Sequence, residues 1–377
     1  LAAIVSNIFL KHKIKHYNNH KTKKKLTPGE MGLPWIGETM EFYKAQLKNQ
    51  IFEEFVQPRI AKYGKIFKTR LMGAPTIIVN GAEANRFFLS NEFKLVISSW
   101  PSSSVQLMGK NIMEKQGEQH RFLSGLIATS LGHAGLVSLV PRLCNYVQLH
   151  LDTYWRGQDQ VSLYRSTKLL TFTIMFECLS GIKVEQGMLT TYERVLEGGA
   201  VNFPGSKFSR AKKARNAIEG MLVKVVRERW KEMESGLIEE EKQGMLLSPL
   251  VDAMIRGEIS EEEVIDNVVL LAFAAHDTTI SIALTFKMLG EHPNFYNILL
   301  KEHYDIMSNK KLGENLTLEE IKKMKYRESM RLFPPIFGSF RKAIVDIEYE
   351  GFTIPRGWKV NVLSQLSLSF FFPSLDK

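Results

Sequence analysis

The run "LAFAAHDTTIS" at residues 271–281 sets an acid and two alcohols, Asp277, Thr278 and Thr279, in an otherwise apolar stretch. Burying an uncompensated carboxylate is costly, so its presence there calls for a reason. A threonine hydroxyl beside a carboxylate can pass a proton to a reacting centre while the acid resupplies it. That is general acid–base chemistry in a dry pocket. Thr278 is expected to bond back to the carbonyl of Ala274, bending the helix and opening a groove. A plainer description, a satisfied polar cluster inside a core helix, fits the same residues. A second pairing lies in "RESMRLFPP", where Glu328 and Arg331 stand one turn apart and can join carboxylate to guanidinium. An ordinary surface pair has the same spacing and is worth little. Pro334 and Pro335 end that helix, and Arg341 follows in "PPIFGSFRKA", where it can face an anion.

The helix that must position Asp277 and Thr278 is predicted from its ends. Ser260 with Glu263 three residues on makes a capping box, and the helical pattern runs from Glu261 to about Gly290, before Pro293. At 1.5 Å per residue that is a rod of about 40 Å. His276 and Asp277 at its centre argue against a membrane span, since an aspartate there costs about 3 kcal/mol on insertion scales. It reads as a core helix. Most of the remaining chain reads as helix too, including "EANRFFLS", "LVPRLCNYVQLHLDTYW" and "AKKARNAIEGMLVKVVRERWKEM". Two short β regions interrupt it. "KIFKTRLMGAPTIIVNG" has two β-rich runs around a turn at Gly73–Ala74–Pro75. "DIEYEGFTIPRGWKV" alternates before Pro355–Arg356–Gly357, read as a type I turn with Pro at i+1 and Gly at i+3. The fold class expected is mainly α with small β-sheets.

With 44% of its 377 residues hydrophobic and 24% charged, the chain can bury a substantial core and is not a disordered tail. A formal charge of +10 suits acidic partners or anionic surfaces, but the Lys and Arg residues are spread out and match no nucleic-acid-binding motif. Cys144 and Cys178 sit among apolar neighbours and read as small buried residues, not as a disulfide or a metal site. At the front, apolar "LAAIVSNIFL" precedes a run of lysines from Lys11 to Lys25. That order suits a membrane anchor with a cytosolic flank and is the reverse of a cleaved signal. Residues 1–25 are expected to be a shortened anchor and basic flank, 26–40 a stiff proline hinge, and 41–377 an incomplete catalytic domain.

Taken in order, these pieces resemble a plant cytochrome P-450, a haem-thiolate monooxygenase, of the groups that oxidise terpenoids and steroids. The resemblance rests on "LTPGEMGLPWIGE", "YGKIFKTRLMGAPTIIVNGAEANRFFLSNE", "SSWPSSSVQLMGKN", "NFPGSKFSRAKKARNAI", "AAHDTT", "ESMRL" and "FRKAIVDIEYEGFTIPRGWKV", and it reaches to about Val360. It implies a mostly helical cytochrome P-450 fold with two small sheets, built around haem b. It implies that Asp277 and Thr278 deliver protons and that Ala274 and Ala275 leave room for oxygen. Glu328 and Arg331 would be the structural ExxR pair. Arg341 and His120 would contact haem propionates. The basic residue expected four positions after His120 is Ser124 here, which leaves Arg121 as the substitute. Electrons would come from NADPH through a cytochrome P-450 reductase, whose acidic face suits a basic protein. The substrate would be a hydrophobic small molecule, the setting the cytosolic face of the endoplasmic reticulum membrane, and no nucleic acid is expected. The chain departs from the family in two places. The family's cysteine ligand to iron has no counterpart after Val360, so no metal ligand is assigned, and "EIKKMKYRESMRLF" is shorter than the family's spacing. A C-terminally truncated chain is expected from this. It would be an enzyme by family, with an incompetent, membrane-tethered binder of apolar molecules as the alternative for this polypeptide.

Overall fold

The computed structural model describes residues 25–48, 50–198, 205–308, 310–311, 313–324 and 338–363. The chain forms two compact units, one from residues 1–101 with 336–377 and the other from residues 102–335. Glu328, Arg331, Pro334 and Pro335 lie outside the described residues, as do residues 1–24.

The first unit is built on a five-stranded sheet ordered β1-β2-β7-β4-β3. Its strands are β1 (Ile66–Leu71), β2 (Ala74–Val79), β3 (Val96–Ser98), β4 (Gly338–Ala343) and β7 (Lys359–Leu363). Strand β2 runs parallel to β7, and the other neighbours are antiparallel. Both sheet faces are buried. Ile66, Ile77 and Val79 pack with Phe88 of α3 (Ala82–Ser90). Phe67, Leu71 and Ile78 pack with Phe42 of α1 (Thr39–Leu47) and Phe55, just before α2 (Gln57–Tyr63). The alternation of side chains along each strand therefore feeds two cores.

The β1–β2 turn sits one residue earlier than the sequence suggested. Met72 and Gly73 occupy it with φ of 50° and 77°, and Ala74 and Pro75 already belong to β2. Positive φ at both central positions defines a type I′ hairpin, whose twist matches the flanking strands. The hairpin of β5 (Ile347–Tyr349) and β6 (Phe352–Ile354) turns the same way, through Glu350 at 47° and Gly351 at 74°. The next turn is also displaced. Trp358 N donates to Pro355 O at 3.1 Å, so Pro355 is the first residue of the turn and Gly357, at φ 87°, the third. Positive φ at i+2 makes it type II, which explains the glycine better than the expected type I. The proline-rich segment is non-helical up to Glu38 and lies along β1. Lys68 N donates to Pro28 O at 2.7 Å, and Glu38 N donates to Arg70 O at 3.0 Å. A Cβ on Gly29 would collide with the Lys68 backbone, so only glycine permits this approach.

The second unit is helical: α4 (Ser102–Met108), α5 (Gly117–Leu131), α6 (His133–Tyr154), α7 (Leu163–Thr173), α8 (Met188–Leu196), α9 (Lys207–Glu234), α10 (Leu247–Ile255), α11 (Glu261–Glu291), α12 (Pro293–Met307) and α13 (Leu318–Lys323). Helix α11 starts at the capping box the sequence announced, with Ser260 and Glu263 bonded reciprocally, and ends one residue past Gly290. It is long and apolar enough to span a membrane, as a core helix also is. Val264, Ile265, Val268 and Val269 are buried among Phe176, Tyr192, Ile218 and Leu250. Polar ties cross this core. Arg215 of α9 pairs with buried Asp266 of α11, and Arg215 Nε donates to Leu107 O at 3.0 Å. Lys110 N donates to the other Asp266 oxygen at 2.6 Å, and Ile112 N donates to Asn267 Oδ1 at 3.0 Å. The segment after α4 is thereby sewn to two helices.

Candidate functional site

Helix α11 presents its chemistry on two sides. Thr279 is fully buried and shares a 2.6 Å hydrogen bond with Thr171 of α7. That bond ties the buried side of α11 to α7. Ala274 and Thr278, four residues apart, are both exposed and so share a face, with Ala275 half-buried beside them. Thr278 Oγ1 donates to Ala275 O at 2.6 Å, not to Ala274 as the sequence suggested. A threonine in a helix can reach either the i−3 or the i−4 carbonyl, and its χ1 rotamer decides which. The helix remains unbroken through this point. The backbone of Asp277 is helical, and its side chain lies outside the described residues.

His276 points to the other side, into a small cavity lined by Lys168, Thr171, Tyr192, Glu193 and Ala272, with room for about one water. Lys168 and Glu193 form an ion pair of 2.8 Å there. Burial, then the Lys168 charge, holds the imidazole below the ordinary histidine range, and Glu193 opposes the shift. His276 was visible in the motif, but its spacing alone gives no sign of the α7 and α8 charges around it.

The candidate carboxylate-binding residues fall in both units. In α5, His120 is half-buried and Arg121 exposed, and neither side chain takes part in a hydrogen bond or ion pair among the described residues. Ser124, one turn after His120, is exposed. In the sheet unit, Arg341 of β4 meets an internal anion: its Nε lies 3.0 Å from Glu92 Oε1 and its Nη2 donates to Glu92 Oε2 at 3.4 Å. The Nε is nevertheless buried with no aligned acceptor, so the guanidinium keeps capacity for a second carboxylate. A haem group, with its two carboxylates, suits that donor chemistry. Burial counts against a thiolate at Cys178. Cys144 is half-buried, and burial pushes the Cys178 thiol up to about 11.

The family model for cytochrome P-450 matches residues 27–368. A taxane 13-alpha-hydroxylase of Taxus cuspidata is 33% identical over 372 residues, covering 95% of this chain and 76% of that protein. A beta-amyrin 28-monooxygenase of Medicago truncatula is 31% identical, covering 91% of this chain and 74% of that protein. Among solved structures, a retinoic acid-bound cyanobacterial CYP120A1 superposes with a TM-score of 0.81 at 28% identity, covering 94% of this chain and 81% of that one.

Proposed function

The chain belongs to the cytochrome P-450 family, and on that premise we propose that it hydroxylates a terpenoid or sterol-like molecule, using O2 and electrons from NADPH. The observation that carries this reading is the likeness to the taxane and beta-amyrin oxygenases along more than nine-tenths of the chain. Haem b, when bound, supplies the oxygen activation that no amino-acid side chain can.

The chain's own residues would then hold, orient and supply protons. Ala274, with only a methyl group, leaves space on the exposed face of α11, and Ala275 does the same beside it. Thr278 stands on that face with its proton directed at Ala275 O, so its lone pairs can accept a proton while rotation of its hydroxyl delivers one. Asp277 is assigned the resupply of that proton. The Thr171–Thr279 bond ties the buried side of the same helix to α7. Arg341 and His120, with Arg121 in the place of an expected base, are assigned to haem carboxylates. Glu328 and Arg331 are assigned a structural pairing. A membrane-bound reductase is the proposed electron donor and the cytosolic face of the endoplasmic reticulum the proposed setting. Residues 1–25 would anchor the chain, 26–40 act as the hinge, and 41–377 belong to the catalytic domain.

The test is holoprotein reduced under carbon monoxide, then turned over with NADPH, reductase and a taxane or amyrin substrate. A thiolate-type difference band with hydroxylated product would bear out the oxygenase reading, whereas a band without thiolate character and no product would leave this polypeptide the incompetent binder of apolar molecules. Thr278→Ala should cut product formed per NADPH consumed by roughly tenfold or more, with Thr278→Ser restoring most of it. Equal coupling in the alanine variant would remove Thr278 from the proton path.

A further inference from the structure

Among the buried donors of the sheet unit that have no aligned acceptor in the described residues are the indole Nε1 of Trp100 and the Nε of Arg341. A buried donor left unsatisfied forfeits its hydration without return, so two in one place ask for a shared acceptor.

Strand register puts them on one surface. Strand β3 pairs antiparallel with β4, with Ser98 opposite Arg341. Ser99 N then donates to Phe340 O at 3.0 Å, which carries the pairing one residue past β3. Pro101 follows Trp100, and a residue before proline is held extended. Side chains alternate along extended backbone, so Trp100 returns to the face of Ser98, which is the face of Arg341. The contacts Arg341 already makes leave its guanidinium under-used. Nη2 to Glu92 and Nη1 to Phe340 O are both 3.4 Å, and Nε is close to Glu92 without being aimed at it.

We infer that the Trp100 indole N–H and the Arg341 guanidinium grip one carboxylate together, and that this carboxylate is a haem propionate. Arginine supplies the charge, while the indole adds a neutral, rigid donor with no acceptor function to compete. Glu92 holds the other edge of the guanidinium. Trp100 thereby adds a neutral donor to the charge that Arg341 supplies in the same unit.

The inference rests on the haem reading above, and the experiment separates the two. Holoprotein carrying Trp100→Phe, which keeps an aromatic ring and removes the N–H, is mixed with excess apomyoglobin, and haem loss is followed by absorbance. Loss roughly tenfold faster than in the unaltered protein is expected, the scale of one hydrogen bond to a charged group. Reconstitution with haem dimethyl ester, whose carboxylates are blocked, should bring the variant and the unaltered protein together. Arg341→Lys should accelerate loss of haem more than loss of the ester. Equal loss rates with free haem would overturn the inference while leaving the haem reading intact. An undiminished difference with the ester would overturn it too, because Trp100 would then act by packing alone. An effect confined to binding of retinoic acid, a carboxylate probe, would reassign the grip to substrate and overturn the propionate assignment. Failure of the unaltered protein to take up haem would overturn both.

Discussion

Adjacent residues of one helix serve opposite sides, and the difference has a pH signature. His276 is held neutral by burial and by Lys168, against the pull of Glu193, in the cavity behind Thr278. An imidazole with a lowered folded pKa contributes stability that is fully present above its unfolded value, about 6.5, and is lost as pH falls through the lower folded value. Stability in denaturant should therefore decline as pH drops from about 7 to 5, and His276→Gln should make that decline shallower. An identical slope in the variant would show that His276 is protonated as easily in the fold as out of it. His150 shares the direction, lowered by burial, and its contribution should persist in that variant. Residue types and spacing made Thr278 and Arg341 legible as candidates. They did not make their partners legible. Which carbonyl Thr278 bonds is a rotamer choice, and the Glu92 that meets Arg341 arrives from a distant strand-flanking turn.

The strongest ties between elements run through side chains that no local pattern reveals. Asp266 lies on the apolar face of α11, and burial pushes its carboxyl up even though Lys110 N–H and Arg215 hold it. Removing one member of such a pair leaves the other charged and buried. Asp266→Ala should cost about 3–5 kcal/mol in denaturant unfolding and expose the amides of residues 107–112 to hydrogen exchange. Asp266→Leu combined with Arg215→Met should recover most of that loss, because an apolar pair removes the burial penalty with the attraction. A double variant as weak as the single one would mean the tie matters through geometry rather than charge. Helix ends were easier to read. The Ser260–Glu263 box is a local signal and was found where the spacing put it. The hairpin turn was read one residue late because Pro75 drew attention to itself, whereas the bend depends on Met72 accepting a φ that side chains seldom adopt.

At the scale of the molecule, the +10 charge is the property most open to measurement. Reduction by a reductase with an acidic docking face should slow several-fold between about 0.05 and 0.5 M salt, as screening removes steering. A salt-independent rate would assign docking to apolar contact. Composition and helix pattern were enough to expect a mainly helical protein with small sheets, because both signals are local. That residues 1–101 form one unit with 336–377 was not legible, since no linker marks the division and the pairing of β2 with β7 is set by tertiary contact. That pairing has a consequence for synthesis. Ribosomes deliver roughly 5–20 residues per second, so the β1–β2 hairpin must wait while the helical unit emerges and can fold on its own. Until Lys359–Leu363 arrives, β2 offers a bare row of peptide groups to any passing strand. Chaperone demand for this protein should accordingly persist until that strand clears the exit tunnel and fall thereafter.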